Sequence, residues 1–255
     1  MLKRSFLSAL LAGSFVFCTL FASTAFAQTI KPIRILLVVG GHGYDKPNLH
    51  KMLKEMPGAV LTEISLPESQ DLLKPGLEKN YDVVVFHDQS RFPLSDSQKK
   101  NMEDLWANGM PTVMLHHALI SHNDFPFMRD LFGCAYLVKP LEINGTKYPA
   151  SSYFKPTDVP FIIKDKDHPI TRGISDFTIN DEVFDGLYLN PGIHVLAETD
   201  HAKSCKPIVF IWKYKKSSVF AMLQGHDGHA FNDPNYRKFL YQGINFITQT
   251  VNNQF

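Results

Sequence analysis

Four apolar runs along the chain each break off in histidine or acid. They are RILLVVGGHG, YDVVVFHD, TVMLHHA and SSVFAMLQGHDGH. The first three run for only a few residues before a polar stop, which is the pattern of strands buried on both faces of a parallel sheet. Strands are therefore expected at Arg34–Val39, Val60–Ile64, Tyr81–Phe86 and Thr112–Leu115. Between them the apolar period lengthens to that of a helix. Asp45 caps a helix over about Lys46–Met56, with Pro47 in its first turn. Ser95 and Gln98 form a capping box that opens a helix carrying Met102, Leu105 and Trp106 on one face and closing near Gly109. A short helix over Phe125–Phe132 stops at Gly133. This alternation predicts a three-layer α/β fold with a mainly parallel central sheet.

Residues 135–160 break the rhythm. They are rich in Pro, Tyr, Ser and Thr and read as a loop excursion over the active edge. Strands resume at Ile193–Glu198, Pro207–Tyr214 and Ser217–Leu223, the last two as a hairpin across Lys215–Lys216. A closing helix over about Asn235–Thr250 turns Phe239, Leu240, Ile244 and Ile247 to the core.

The N-terminus stands apart. Lys3 and Arg4 precede an apolar stretch from Phe6 to Phe21, and Ala25-Phe26-Ala27 then offers the small residues that signal peptidase needs. Residues 1–27 read as a cleaved export signal, leaving residues 28–255 as a single α/β domain. The apolar stretch is short for a span of about 20 residues. Phe17 before Cys18 disfavours a lipoprotein. The chain of 255 residues carries a formal charge of +1, which becomes −1 when Lys3 and Arg4 leave. That balance gives no footprint for nucleic acid, and no second apolar run points to a membrane. Cys134 and Cys205 remain in the mature chain, either paired or as buried free thiols.

In a parallel sheet the carboxyl ends of the strands share one edge, where ligands bind. The polar stops should therefore meet there. His116 and His117 end the fourth strand at the position where many hydrolytic α/β folds carry a nucleophile. Histidine in that place speaks for acid–base catalysis or metal ligation rather than an acyl-enzyme. Neighbouring strand residues point to opposite faces, so one of the two is expected to be structural. Gly41, His42 and Tyr44 in GGHGYD are candidate substrate contacts. His87 and Asp88 end the third strand, and Asp88 can bind substrate, orient a histidine or cap the next segment. Asp181-Glu182 is an acidic pair in an apolar and aromatic setting, where burial tunes a carboxyl group for proton transfer. His226, Asp227 and His229 close the last run. His42, His117, Glu182 and His226 would suit zinc or another divalent metal, although close-spaced zinc patterns are absent.

The chain also resembles the ThuA-like (trehalose utilisation) family, within the class I glutamine amidotransferase-like superfamily. The residues that carry the likeness are VVGGHGY, TVMLHHAL, DHPITRGISDFTINDEVF, and WKYKKSSVFAMLQGHDGHAF leading to YRKFLYQGINF. The resemblance implies a flavodoxin-like fold in which the amidotransferase cysteine is replaced at the elbow. His116 matches the family's elbow histidine, Glu182 the glutamate of its Asp-Glu motif and His226 the histidine of its Gly-His motif. It also implies carbohydrate metabolism, notably of 3-keto-sugars and their glycosides, in exported bacterial proteins. One departure is LFGCAYLVKP, where Cys134 stands for a glycine and Lys139 lies near the place of a histidine that many members carry.

Three readings of function stay open at this stage. The first is an exported enzyme acting on a sugar or keto-glycoside with His116, His117 and Glu182 as acid–base groups and His226 and His42 orienting substrate. The second is a periplasmic sugar-binding protein, stacking its ligand on Tyr148, Tyr153 and Phe154. The third is a metal-dependent hydrolase using the same His/Glu cluster. Each takes a small-molecule carbohydrate as its partner, and a homo-oligomer is compatible with all three.

Overall fold

A computed structural model describes residues 31–249, which fall within one compact unit. The export signal expected at residues 1–27 lies outside the described residues. No helix among the described residues is long and apolar enough to cross a membrane.

The four expected N-terminal strands form as β1 (Ile33–Gly40), β2 (Ala59–Leu66), β3 (Val83–Phe86) and β4 (Thr112–Leu115). Between them lie α1 (Lys46–Lys54) and α2 (Asp96–Ala107). Asp45 accepts from the Asn48 amide at the start of α1, and Ser95 and Gln98 make the reciprocal capping box of α2. α3 (Pro126–Phe132) ends at Gly133, whose φ of 69° is left-handed. A side chain there would also meet the Trp212 ring, at 2.9 Å.

Residues 135–160 are not a loop. They hold β5 (Cys134–Ala135), a small hairpin of β6 (Leu141–Ile143) and β7 (Thr146–Tyr148), and most of β8 (Ser152–Ile163). β8 pairs antiparallel with β9 (Phe177–Asp185), a strand that carries Asp181 and Glu182 and that no apolar run announced. β10 (Tyr188–Leu189) pairs with β5. β11 (His194–Glu198), β12 (Pro207–Tyr214) and β13 (Ser217–Met222) follow, with the expected hairpin between the last two. The chain closes through α4 (Gly228–Phe231) and α5 (Pro234–Gln249).

The main sheet has nine strands in the order β2-β1-β3-β4-β13-β12-β11-β8-β9. Its first five strands are parallel and the other four pair antiparallel. Helices cover both faces. Phe86 packs on Trp106 of α2, which meets Phe127 of α3, while Phe220 of β13 stacks with Phe239 of α5. Phe239, Leu240, Ile244 and Ile247 are fully buried, as their spacing requires. The order β2-β1-β3 reverses direction at β1, which is a switch point where such sheets bind ligands. Cys134 and Cys205 are free thiols, Cys134 buried and Cys205 half-buried.

Candidate functional site

Beyond the carboxyl ends of the parallel strands lies a cavity of about 430 Å³. His42 reaches it after β1, Gln89 and Arg91 after β3, His116 and His117 after β4, and His226 after β13. Glu182 and Phe184 enter from β9, and Tyr136, Val138, Ser151 and Tyr153 close the remaining wall.

His116 sits at the elbow. Its φ is 35°, a conformation rarely taken by a residue with a side chain, and the backbone turns there from β4 into a single helical turn over His116–Ile120. The expectation that one histidine of the pair faces away does not hold. The turn breaks the strand alternation, so both rings line the cavity with centroids 4.7 Å apart.

His116 is 1% exposed, and both its nitrogens are engaged. Nδ1 donates to the Leu223 carbonyl at 3.0 Å, because a carbonyl can only accept. That fixes Nε2 toward the cavity, 3.2 Å from Nδ1 of His226 and 3.5 Å from Oε2 of Glu182. Burial alone would lower the His116 pKa, but the Glu182 and Asp181 carboxylates outweigh it and raise it. Burial pushes Glu182 up, and His116, with the charges of His226 and His42, brings it below the ordinary glutamate value. The pair therefore favours an imidazolium beside a carboxylate.

His117 behaves in the opposite way. Burial and the surrounding histidines hold its pKa well below normal, and its Nδ1 is buried without a hydrogen-bond partner. It presents an uncharged ring, in edge contact with His42 and His226. One ring nitrogen each from His116, His117 and His226 lies within 4.8 Å of the others.

Asp181 supports the site from behind. Fully shielded, it accepts from the amides of Gly225 at 2.9 Å, His226 at 3.2 Å and Glu182 at 2.7 Å. It thus ties β9 to the turn that presents His226. His87 does the same from the other side, donating from Nε2 to the Gly225 carbonyl at 3.0 Å. Burial lowers the His87 pKa to about 4.

Several expected substrate contacts lie elsewhere. Asp88 is completely buried and turned away from the cavity. It accepts from the Ser121 hydroxyl and from the Ser90 amide at 3.3 Å, so it holds the turn after β3 rather than a ligand. Tyr44 gives its hydroxyl to Glu63 at 2.8 Å and backs the His87 ring. Gly41 does not line the cavity, and its protein surroundings already require a glycine: at φ 73° its missing Cβ would fall 2.2 Å from the Gln89 carbonyl oxygen. His229 pairs with Asp227 on the surface. Of the three aromatics expected to stack on a sugar, Tyr153 lines the cavity, whereas Tyr148 packs on Tyr188 and Phe154 lies under Lys203. Lys139 is exposed in a neighbouring groove. Gln89, Arg91, Tyr136 and Phe184 also line the cavity, and no sequence motif marks a wall residue of this kind.

No curated protein matches the chain. Solved structures do. A protein described as ThuA-like from Parabacteroides merdae is 16% identical, with a TM-score of 0.69 over 88% of this chain and 93% of that one. Another from Bacteroides uniformis is also 16% identical, with a TM-score of 0.62 over 85% and 92%. PurLQS from Thermotoga maritima is 13% identical, with a TM-score of 0.53 over 85% and 99%. At these identities the likeness establishes the fold, and function has to be argued from the site. The ThuA family, described as trehalose utilisation, matches residues 34–247. That match takes in every strand end that lines the cavity, and the chain belongs to the ThuA family.

Proposed function

We propose that this protein is an exported enzyme acting on a sugar or 3-keto-glycoside by acid–base chemistry in the histidine cavity. The observation that carries the reading is His116, wedged between Glu182 and His226 with its other nitrogen fixed on a backbone carbonyl. A ketone at C3 acidifies the C2–H bond, so a carboxylate suffices as base. Glu182 takes that proton and the electron pair forms the C1–C2 double bond. The C1–oxygen bond breaks, and His116 protonates the leaving oxygen. His117, uncharged, adjoins the reacting centre without adding charge. The basic n-region and Ala-Phe-Ala site of residues 1–27 support action outside the cytoplasm. Incubating the mature chain with 3-keto-glycosides and following products by NMR tests this. An unsaturated or cleaved sugar is expected; saturable binding with no product would make the chain a sugar-binding protein instead.

A second reading rests on the three clustered ring nitrogens. His117 is held neutral, as a metal ligand must be, and the Leu223 carbonyl orients His116 as an outer-shell acceptor does. The nitrogens would have to draw in from 4.8 Å to surround a zinc ion at about 2.0–2.1 Å. A bound metal would polarise the ketone oxygen. One equivalent of metal in protein purified without chelator, with activity lost on its removal, would favour this reading over the metal-free one.

A further inference from the structure

Arg91 stands where three hollows meet. It lines the histidine cavity, the hollow behind Gly41 and Pro67, and an outer groove of about 630 Å³ bounded by Asn123, Asp124, Val138, Lys139 and Leu141. The turn that carries it is held from several sides. The Gln89 amide donates to the Gly40 carbonyl at 2.8 Å, and the His122 amide to the Ser90 carbonyl at 2.7 Å. Asp88 clasps Ser90 and Ser121 beneath, and the Phe92 ring packs edge-on against His122 at 4.8 Å. This cluster is buried although Asp88 Oδ1, the Ser90 hydroxyl and both His122 ring nitrogens lack partners, an arrangement that costs stability.

The side chain itself is exposed, and no hydrogen bond or ion pair engages its guanidinium among the described residues. Its charge is felt at the hydroxyl of Tyr136, another wall residue. Glu182, the carboxylate of the cavity, is already taken up by His116. Arg91 is thus a permanent positive charge on a fixed turn, at the mouth of a sugar-sized cavity, and Asp124, the acid on the wall of the outer groove, is exposed and makes no ion pair with it. A planar guanidinium of this kind matches an oxyanion with two parallel hydrogen bonds.

Building on the sugar reading above, we propose that Arg91 is a specificity residue that anchors a carboxylate or phosphate on the substrate, so that the preferred ligand is an acidic sugar derivative. The sugar ring enters the histidine cavity and the anionic group lies at its mouth. The outer groove, with Lys139 on its wall, leaves room for the ligand to continue.

Calorimetric titration of the full chain with methyl glucuronide, glucose 6-phosphate and methyl glucoside tests the anchor. The anionic sugars are expected to bind about tenfold tighter than the neutral one. That ratio should fall toward one in Arg91→Gln and only partly in Arg91→Lys, and added salt should shrink it in the wild type. The better of the two anions identifies the group. Equal affinity for neutral and anionic sugars, or a preference that survives Arg91→Gln, overturns the anchor and leaves the sugar site standing. No binding of any of the three sugars overturns the anchor, and the keto-glycoside product assay then decides the sugar reading on its own.

Discussion

His87 shows what a single buried group does here. Its ring is 1% exposed, and burial holds its pKa near 4 while an unfolded chain would protonate it at the ordinary value of 6.5. The folded state therefore refuses a proton that the unfolded state accepts. The resulting stability is present in full above about pH 6.5, falls as pH drops, and stops falling near pH 4, a loss of about 3 kcal/mol. Urea unfolding at a series of pH values should show this decline, and His87→Phe should make it shallower by about that amount, leaving the part contributed by His117, which burial also holds below its normal pKa. A decline of the same size in that variant would assign it elsewhere. Asp88, Tyr44 and Gly41 make the complementary point. The sequence places polar residues at strand ends, but whether each faces a ligand or a neighbour depends on partners far away in the chain. Asp88 finds Ser121, Tyr44 finds Glu63 and Gly41 finds Gln89.

Elements with local signals were legible and those without were not. The capping box of α2 forms as its spacing requires. Ser95→Ala should cost about 1 kcal/mol in unfolding free energy, since it strips the Gln98 amide of its acceptor. The parallel strands announced themselves as unbroken apolar runs, and β3 and β4 are buried at every position. The ribbon of β8 and β9 gave no such run. β8 is exposed over its first half and carries a register shift between Phe154 and Thr157, so its pattern resembles a loop. That is also why Asp181-Glu182 stands out in the sequence only as an acidic pair and not as part of a strand. α5 packs tightly enough on β13 that Gly243 admits no side chain: a Cβ there would lie 2.4 Å from the Phe220 ring. Gly243→Ala should destabilise by about 1–3 kcal/mol despite its better helix propensity. A stabilised variant in thermal unfolding would show that the ring can move aside.

At the scale of the whole molecule, the sheet gathers residues that the sequence scatters. Four parallel strands deliver His42, Arg91, His116 with His117, and His226 to one edge, and β9 brings Glu182 over them. The convergence followed from the parallel pattern alone, through the rule that such strands share a carboxyl edge. The pairing inside it did not, because His116 reaches both Glu182 and His226 only through the turn at φ 35°. Proton transfer by the His116–Glu182 pair is the step on which the proposed chemistry depends. The most direct test is kcat on a turned-over keto-glycoside for wild type, Glu182→Gln and His116→Ala, each checked for an unchanged unfolding midpoint. Acid–base catalysis by this pair requires kcat to fall by about 100-fold or more in both variants. Folded variants that turn over substrate at the wild-type rate would contradict it.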